Sequence, residues 1–169
     1  HSVIFYGALV TYASYALLVF GDSAWPRFSE TVLSPTGLRV FLHLLNAMTA
    51  IVLASFVWAL FRRWVFSPKR LSYDLTRAAD PLVMILALSA ILLVALLLEG
   101  AYKASGVTGP HTTGFITVAI ASGFSTLGMG EDSAQTLYTT LWWLHLSLIF
   151  AYALYIPFSR YVHVLTSPI

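Results

Sequence analysis

Four apolar stretches, each long enough to cross a lipid bilayer, constrain the fold of this chain more than any other feature. They cover about residues 1–20, 38–61, 81–102 and 136–157. A helix needs about 20 apolar residues to span the hydrocarbon core of a bilayer. Only 9% of the residues are charged, whereas a soluble domain carries about a quarter. We therefore expect an all-α integral membrane bundle of four spanning helices, the last one extending through 136–165.

The segments between these stretches predict how the bundle is connected. The run 104–135 is apolar but short and rich in glycine, so we expect a re-entrant or interfacial piece packed over one end of the bundle. Asp80 followed by Pro81 predicts the first turn of the third helix. Pro157 predicts a kink near the end of the fourth. The sequence shows no internal repeat, and we expect a single domain over 1–169.

The basic residues are concentrated in one connection, which predicts the topology. Loop 62–80 holds five of the nine: Arg62, Arg63, Lys69, Arg70 and Arg77. By the positive-inside rule, this loop and both chain termini face the cytoplasm. One basic loop does not form a nucleic-acid-binding face, so we expect no nucleic-acid partner. The loop is instead a candidate docking surface for a cytoplasmic subunit.

The chain contains no cysteine. This excludes disulfides, thiolate metal sites and an iron–sulfur cluster held by this chain alone. Any iron bound here must be held by histidine or methionine.

Two of the five histidines, His145 and His163, are eighteen residues apart on the last apolar segment. On one continuous helix, eighteen residues make five whole turns, so both imidazoles would leave the same face about 27 Å apart. That distance is close to the thickness of the hydrocarbon core, which is about 30 Å. The spacing predicts a ligand for one haem near each membrane surface.

The opposite ligands follow from the predicted topology. A six-coordinate haem b needs two axial histidines at one depth on facing helices. His1 and His163 fall at the cytoplasmic end, and His43 and His145 fall at the outer end. We therefore predict two haems b whose iron is ligated by these four residues. Two alternatives stay open: His111 replaces His43 as the outer ligand, or His1 is a remnant of a tag.

Charged residues near the bilayer surfaces are candidates for the haem propionates. Arg39 would serve at the outer side, with Arg27 as another donor there, and Arg62 or Arg160 at the inner side. The simpler interpretation of each is a basic side chain that reaches from the apolar region to the interface.

A quinone site is predicted at the outer end from three residues. Glu99 is the only carboxylate within an apolar span, and it either relays protons from a quinol or pairs with Lys103 one helical turn later. His111 follows Gly109 and Pro110 in a loop, and we interpret it as a quinone-site or loop residue.

The chain resembles the gamma subunit of respiratory nitrate reductase, a dihaem cytochrome b. The resemblance is strongest over Leu144-His145-Leu146 and over Ile156-Pro157-Phe158-Ser159-Arg160-Tyr161-Val162-His163, which match that family's last helix. Arg62-Arg63 with Phe66-Ser67-Pro68, followed by Asp80, resembles its central cytoplasmic loop. His1, opening an apolar helix that contains Gly7, resembles its first ligand.

This resemblance implies a cofactor set, a partner and a location. The family has five helices and two haems b, and it exchanges electrons between menaquinol and an iron–sulfur partner. That partner is a cytoplasmic subunit or a fused domain. The resemblance thus implies a prokaryotic cytoplasmic membrane protein that contacts the bilayer, the quinone pool and an iron–sulfur protein.

The chain departs from the nitrate reductase pattern at two points. The family's first helix lies upstream of the first ligand, and the chain starts at His1 without methionine, so we expect a fragment. Nitrate reductases also carry a second histidine about three turns into the ligand helix, where this chain has Val10-Thr11-Tyr12. Either His43 replaces that ligand or the outer haem is missing. The resemblance is therefore nearer to the membrane cytochromes of heterodisulfide reductase and of the sulfite-reduction-linked complex.

Three functional hypotheses follow from the sequence. The first is a dihaem cytochrome b subunit that transfers electrons between menaquinone or another quinone and a cytoplasmic iron–sulfur protein. The second is a monohaem variant that uses only His1 and His163. The third is a haem-free membrane anchor or small transporter subunit.

Overall fold

The structure is a computed structural model that describes residues 2–65, 75–107 and 112–159. This part of the chain is almost entirely helical and contains no strand, which confirms the all-α prediction. Its elements are α1 (Ser2–Ala24), α2 (Phe28–Val65), α3 (Leu75–Ala104), α4 (Phe115–Thr126) and α5 (Glu131–Tyr155), followed by a 3-10 turn (Ile156–Phe158).

Three helical segments are long and apolar enough to cross a membrane. They are Phe28–Arg62, Leu82–Ala104 and Glu131–Phe158. Helix α1 contributes a shorter apolar run, Leu9–Ala24. A bundle of four spanning helices therefore stays a prediction, whereas its three later members meet the length and composition that a bilayer requires.

The segment 21–37, which separates the first two apolar stretches of the sequence and would be expected to form a loop, is mostly helical. Only three residues separate the end of α1 from the start of α2. The carboxylate of Asp22 accepts hydrogen bonds from the backbone nitrogen and the hydroxyl of Ser29, both at 2.8 Å. It thereby satisfies donors in the first turn of α2, which otherwise have no partner within the helix.

Helix α2 breaks once, at Ser34, whose backbone φ of 60° and ψ of 160° are not helical. Pro35 follows, and its fixed φ suits the first position of a new helical segment. The Ser34 hydroxyl accepts a hydrogen bond from the backbone nitrogen of Gly37 at 3.3 Å. The long apolar part of α2 therefore begins at this break, near the predicted start at residue 38.

The predicted start of α3 at Pro81 is also wrong, since α3 begins at Leu75. A proline deprives a helix of one backbone hydrogen bond and is best tolerated in the first turn. That preference makes proline a common signal of a helix start, but here it stands further inside the helix.

The continuous helix predicted over 136–165 is not observed. Helix α5 begins earlier, at Glu131, and ends at Tyr155. Pro157 lies in the 3-10 turn, and Ser159 is extended, with φ −86° and ψ 159°. Pro157 thus coincides with the end of the helix rather than with a kink inside it. The separation of about 27 Å on one face, predicted for His145 and His163, no longer follows.

Three apolar clusters hold the helices together. Leu18 of α1 packs against α2, on Leu38, Leu42 and Leu45. Val52 and Phe56 of α2 pack with Leu92 of α3. Between α3 and α5 lie Val94, Ala101 and Leu141.

The short helix α4 lies against α3. Its twelve residues are too few to cross a bilayer, as predicted for this segment. The two helices approach closely at Gly100, where an added Cβ would overlap the side chain of Ile120. This approach brings α4 over one end of the bundle, which we call the α4 end.

Candidate functional site

The α4 end contains a group of polar side chains supplied by four helices, in a chain that is otherwise strongly apolar. We call this group the polar core, and its members are Tyr15 of α1, Asn46 and Thr49 of α2, Glu99 of α3 and Thr117 of α4. Polar groups inside an apolar bundle are costly unless they are hydrogen-bonded, so each one calls for an explanation.

Asn46 connects α2 to the start of α4. Its side chain is buried, and its Oδ1 accepts hydrogen bonds from the backbone nitrogens of Ile116 at 3.0 Å and Thr117 at 3.4 Å. The residue that precedes α4, Gly114, has no side chain to do this. An added Cβ on Gly114 would lie 2.5 Å from the same Asn46 oxygen. Asn46 therefore acts as an N-cap supplied by a different helix.

Glu99 is held in place by α4. The Thr117 hydroxyl donates a hydrogen bond to Oε2 of Glu99 at 2.7 Å, and Thr117 itself is fully buried. The Tyr15 hydroxyl also faces Glu99, together with Asn46 and Thr49. The hydroxyl of Thr49 donates to the backbone oxygen of Leu45 at 2.8 Å. The Glu99 carboxylate, which projects from α3, therefore contacts both α1 and α4.

The hydroxyl of Thr11, one helical turn before Tyr15, is buried without a hydrogen-bond partner. The hydroxyl of Tyr15 is buried beside Glu99, Asn46 and Thr49. The large majority of buried side-chain polar atoms in proteins are paired with protein groups or with ordered water. The unpaired hydroxyl of Thr11 is an exception to this rule.

His43 lies on the surface at the α4 end. Its imidazole is exposed and stacks on Phe115, with ring centroids 6.2 Å apart and planes inclined by 19°. It precedes Asn46 by about one helical turn. The two aromatic rings thus form an exposed patch beside the polar core.

His145 lies on α5 against α3. The residue is partly buried, its Nδ1 is fully buried without a hydrogen-bond partner, and the imidazole faces the main chain of Ile91. An unpaired imidazole nitrogen inside an apolar bundle has the chemistry of a metal ligand.

The structure does not bring His43 and His145 to one depth. His145 faces Ile91, and the next residue of α3, Leu92, packs against Val52 of α2. Val52 is nine residues after His43, which corresponds to about 13 Å along the helix. Helix α5 packs on α3, whereas α2 packs on α1 and α3. By this register His145 lies nearer the level of Val52 than that of His43, and the pairing of the two histidines on one haem stays a prediction.

The other predicted site residues are separated from the polar core or fall outside the described residues. Arg27, Arg39 and Arg62 are exposed. Lys103 lies one turn after Glu99, in the last turn of α3, and their ion pair stays a prediction. Four residues lie outside the described part of the chain: His1, His111, Arg160 and His163.

Within the described residues, no group of three or more histidine, cysteine, aspartate or glutamate side chains can hold a metal ion. A haem iron needs only two axial side chains from the protein, so this finding does not test the predicted haems.

The sequence interpretation missed most of the polar core. Only Glu99 was singled out, because a carboxylate inside an apolar span is conspicuous. Asn46, in the run Leu44-Leu45-Asn46-Ala47, carried a similar signal. Single hydroxyl groups are common in membrane helices, so no signal in the sequence singled out Thr11, Tyr15 or Thr49.

One curated protein of known sequence is similar to the whole chain. Over 169 residues the chain is 24% identical to the probable iron–sulfur-binding oxidoreductase FadF of Bacillus subtilis (strain 168). The match covers 99% of this chain but 23% of that protein, so the chain spans less than a quarter of its curated relative. No family model and no solved structure matches the chain.

Proposed function

We propose that this chain is the membrane part of a redox complex and transfers electrons between quinone and an iron–sulfur protein. The observation that carries the proposal is the buried, unpaired imidazole nitrogen of His145 inside an apolar helical bundle. The three helices of spanning length support a membrane location. The similarity to a probable iron–sulfur-binding oxidoreductase supports a redox role and an iron–sulfur partner, either a separate subunit or a fused domain.

The proposed arrangement has four spanning helices in a prokaryotic cytoplasmic membrane. Helix α1 would be the fourth span, because it packs along α2 through Leu18. The connection between α2 and α3 would face the cytoplasm, since it holds most of the basic residues. The α4 end would then lie at the outer surface. The exposed apolar face of α5, which includes Trp143, Phe150 and Leu154, would contact lipid.

Haem b is the proposed electron carrier, and His145 is the described residue that fits it. When bound, haem b supplies reversible one-electron chemistry. His145 would ligate the iron from α5, since its Nδ1 lacks a partner and the ring can present either nitrogen. His43 does not fit as the opposite ligand in this arrangement, because it lies about 13 Å away along the bundle and stacks on Phe115.

The family resemblance supports the remaining proposed ligands. His1 and His163 stay the proposed pair for the inner haem, and His111 stays the alternative to His43 as the outer ligand. The monohaem alternative, in which only His1 and His163 hold a haem, leaves His145 without iron. The haem content per chain distinguishes these alternatives.

The proposed quinone site is the exposed patch at the α4 end. His43 and Phe115 offer a flat aromatic surface, and Glu99 lies behind it in the polar core. Oxidation of a quinol releases its electrons to the redox chain and its protons to nearby bases. Glu99 would accept a proton there, and Lys103 one turn later would stabilise its carboxylate form.

Quinol-dependent reduction of the purified complex tests the proposal. The whole natural protein, with its iron–sulfur part, is mixed with a reduced menaquinone analogue, and the absorption bands of reduced haem b are followed. We expect quinol to reduce haem b in the wild type. In His145→Ala we expect the absorption of the haem that His145 ligates to be missing. Glu99→Gln should slow reduction while leaving the haem content unchanged. A wild-type protein without a haem b spectrum would contradict the proposal and favour the haem-free anchor.

A further inference from the structure

The first turn of α4 makes two contacts that the proposed quinone site uses. Phe115 stacks on His43 in the exposed patch, with ring centroids 6.2 Å apart. Two residues later, the hydroxyl of Thr117 donates a hydrogen bond to Oε2 of Glu99 at 2.7 Å. Residues 115 and 117 belong to one helical turn, so a shift of this turn moves both contacts.

The start of α4 is held by α2. Oδ1 of Asn46 accepts hydrogen bonds from the backbone nitrogen of Ile116 at 3.0 Å and from that of Thr117 at 3.4 Å. Asn46 and Thr117 are almost fully buried, with 2% and 0% of their surface exposed. Buried polar networks whose members are hydrogen-bonded make the surrounding structure rigid. The place of the Thr117 hydroxyl is therefore determined by α2 as well as by Glu99 of α3.

The Glu99 side chain has to be oriented to act as a proton acceptor. Glutamate has three side-chain torsions, and Glu99 is only partly buried at the α4 end. A general base works when it lies within hydrogen-bond reach of the proton that it takes, and small errors in position slow the reaction strongly. A hydrogen bond from a buried hydroxyl on a rigid helix restricts the rotation of the carboxylate.

We propose that Thr117 is a positioning residue for Glu99 in quinol oxidation, and that Asn46 keeps Thr117 in place. This inference rests on the proposed quinol-linked function. In each proton transfer, an O–H bond of the quinol breaks, an O–H bond forms on the Glu99 carboxylate, and the electrons go to the proposed haem b. Glu99 then releases the proton to water at the α4 end, where it is partly exposed, and can take the second one. The Thr117 hydroxyl keeps its own proton throughout.

The positioning role is tested with variants of two threonines in α4. Thr117→Val removes the hydroxyl and keeps the shape of the side chain, whereas Thr117→Ser keeps the hydroxyl. Thr126→Val is the matched control, because the Thr126 hydroxyl donates to the backbone oxygen of Ser122 at 2.8 Å on the exposed side of the same helix. The initial rate of haem b reduction in the purified whole complex is measured over a range of concentrations of a reduced menaquinone analogue.

The maximal rate and the half-saturating quinol concentration should respond differently. We expect Thr117→Val to lower the maximal rate several-fold with unchanged haem content and half-saturating concentration, because the patch of His43 and Phe115 stays in place. Thr117→Ser should restore most of the rate, and Thr126→Val should behave as the wild type. Asn46→Ala loosens the whole first turn of α4, so it should lower the maximal rate and raise the half-saturating concentration.

A double variant tests whether Thr117 acts through Glu99. Glu99→Gln removes the carboxylate that accepts the proton, so loss of the Thr117 hydroxyl should then have little left to impair. We expect Thr117→Val combined with Glu99→Gln to react within about twofold of the rate of Glu99→Gln alone. Two independent effects would instead multiply.

The outcomes separate the positioning role from the proposed function. A wild-type maximal rate in Thr117→Val, a raised half-saturating concentration in that variant, or multiplied losses in the double variant would overturn the positioning role and leave quinol oxidation standing. A wild type without quinol-dependent reduction would overturn the proposed function and the positioning role together. If Thr117→Val does not retain its haem, Thr117→Ala removes the same hydroxyl and is measured in its place.

Discussion

The side-chain oxygen of Asn46 lies 3.0 Å from the backbone nitrogen of Ile116, which is seventy residues later in the chain. This hydrogen bond fixes the start of α4 to α2. A cap supplied by another helix determines where α4 sits as well as where it begins. The position of Thr117 beside Glu99 depends on it, because Thr117 lies in the same first turn.

Replacing Asn46 with alanine should destabilise the protein through this cap. The substitution leaves the backbone N–H groups of Ile116 and Thr117 without their acceptor, and an unsatisfied buried group costs about 1–3 kcal/mol. We expect a lower thermal midpoint, measured by circular dichroism in detergent. Thr136→Ala on the exposed face of α5 is the control and should have little effect. Equal midpoints for the two variants would show that the cap does not stabilise α4.

The close approach of α3 and α4 makes a prediction at Gly100. An alanine there places a Cβ into the side chain of Ile120, and such overpacking typically costs about 1–3 kcal/mol. Gly123→Ala is a matched control within α4, since an added Cβ at Gly123 would have no neighbour within 4 Å. There alanine should stabilise the helix by about 0.5–1 kcal/mol.

The two glycine variants should therefore shift the midpoint in opposite directions. A double variant, Gly100→Ala with Ile120→Ala, should cost less than the sum of the two single changes, because the smaller side chain removes the overlap. Equal effects of Gly100→Ala and Gly123→Ala would contradict the packing described for α4.

The helical architecture followed from the sequence because it depends on the length of apolar runs. The three spans of α2, α3 and α5 and the short α4 segment were predictable on this basis. The residues at which the helices begin and end were less predictable. Pro81 suggested a start that lies inside α3, and Pro157 suggested a kink where the structure has the end of α5. A proline restricts its own φ but does not specify which neighbouring residues stay helical.

The candidate site was predictable residue by residue but not in its arrangement. His145 and Glu99 were conspicuous as ionisable side chains within apolar spans. The depth of His43 relative to His145 depends on how α2, α3 and α5 are aligned against each other. That alignment results from packing between residues far apart in the chain, which the lengths of apolar runs do not specify. The polar core depends on the same alignment, since its members come from four helices.

The turn between α1 and α2 gives a prediction at Asp22. Alanine removes the acceptor for the backbone nitrogen and hydroxyl of Ser29, and loss of such a cap costs about 0.5–2 kcal/mol. Asp22→Asn keeps one side-chain oxygen and should retain most of the stability. The thermal midpoints of the two variants are the measurement. A midpoint of Asp22→Ala equal to that of Asp22→Asn would contradict this role.

His43 gives a prediction that separates a quinone-facing role from iron ligation. His43→Ala should leave the haem content unchanged, because the ring is exposed and lies about 13 Å from the depth of His145. It should raise the quinol concentration needed for half-maximal reduction, since the stacked surface with Phe115 is lost. Loss of a haem in this variant would restore His43 as an axial ligand.

The most direct test of the central claim is a pyridine haemochrome assay on the purified complex, comparing the wild type with His145→Ala. The assay gives the amount of haem b per chain. The account predicts that the wild type contains haem b and that the variant contains one haem fewer per chain. A wild type without haem b, or a variant with the full amount, would contradict the assignment of His145 as an iron ligand.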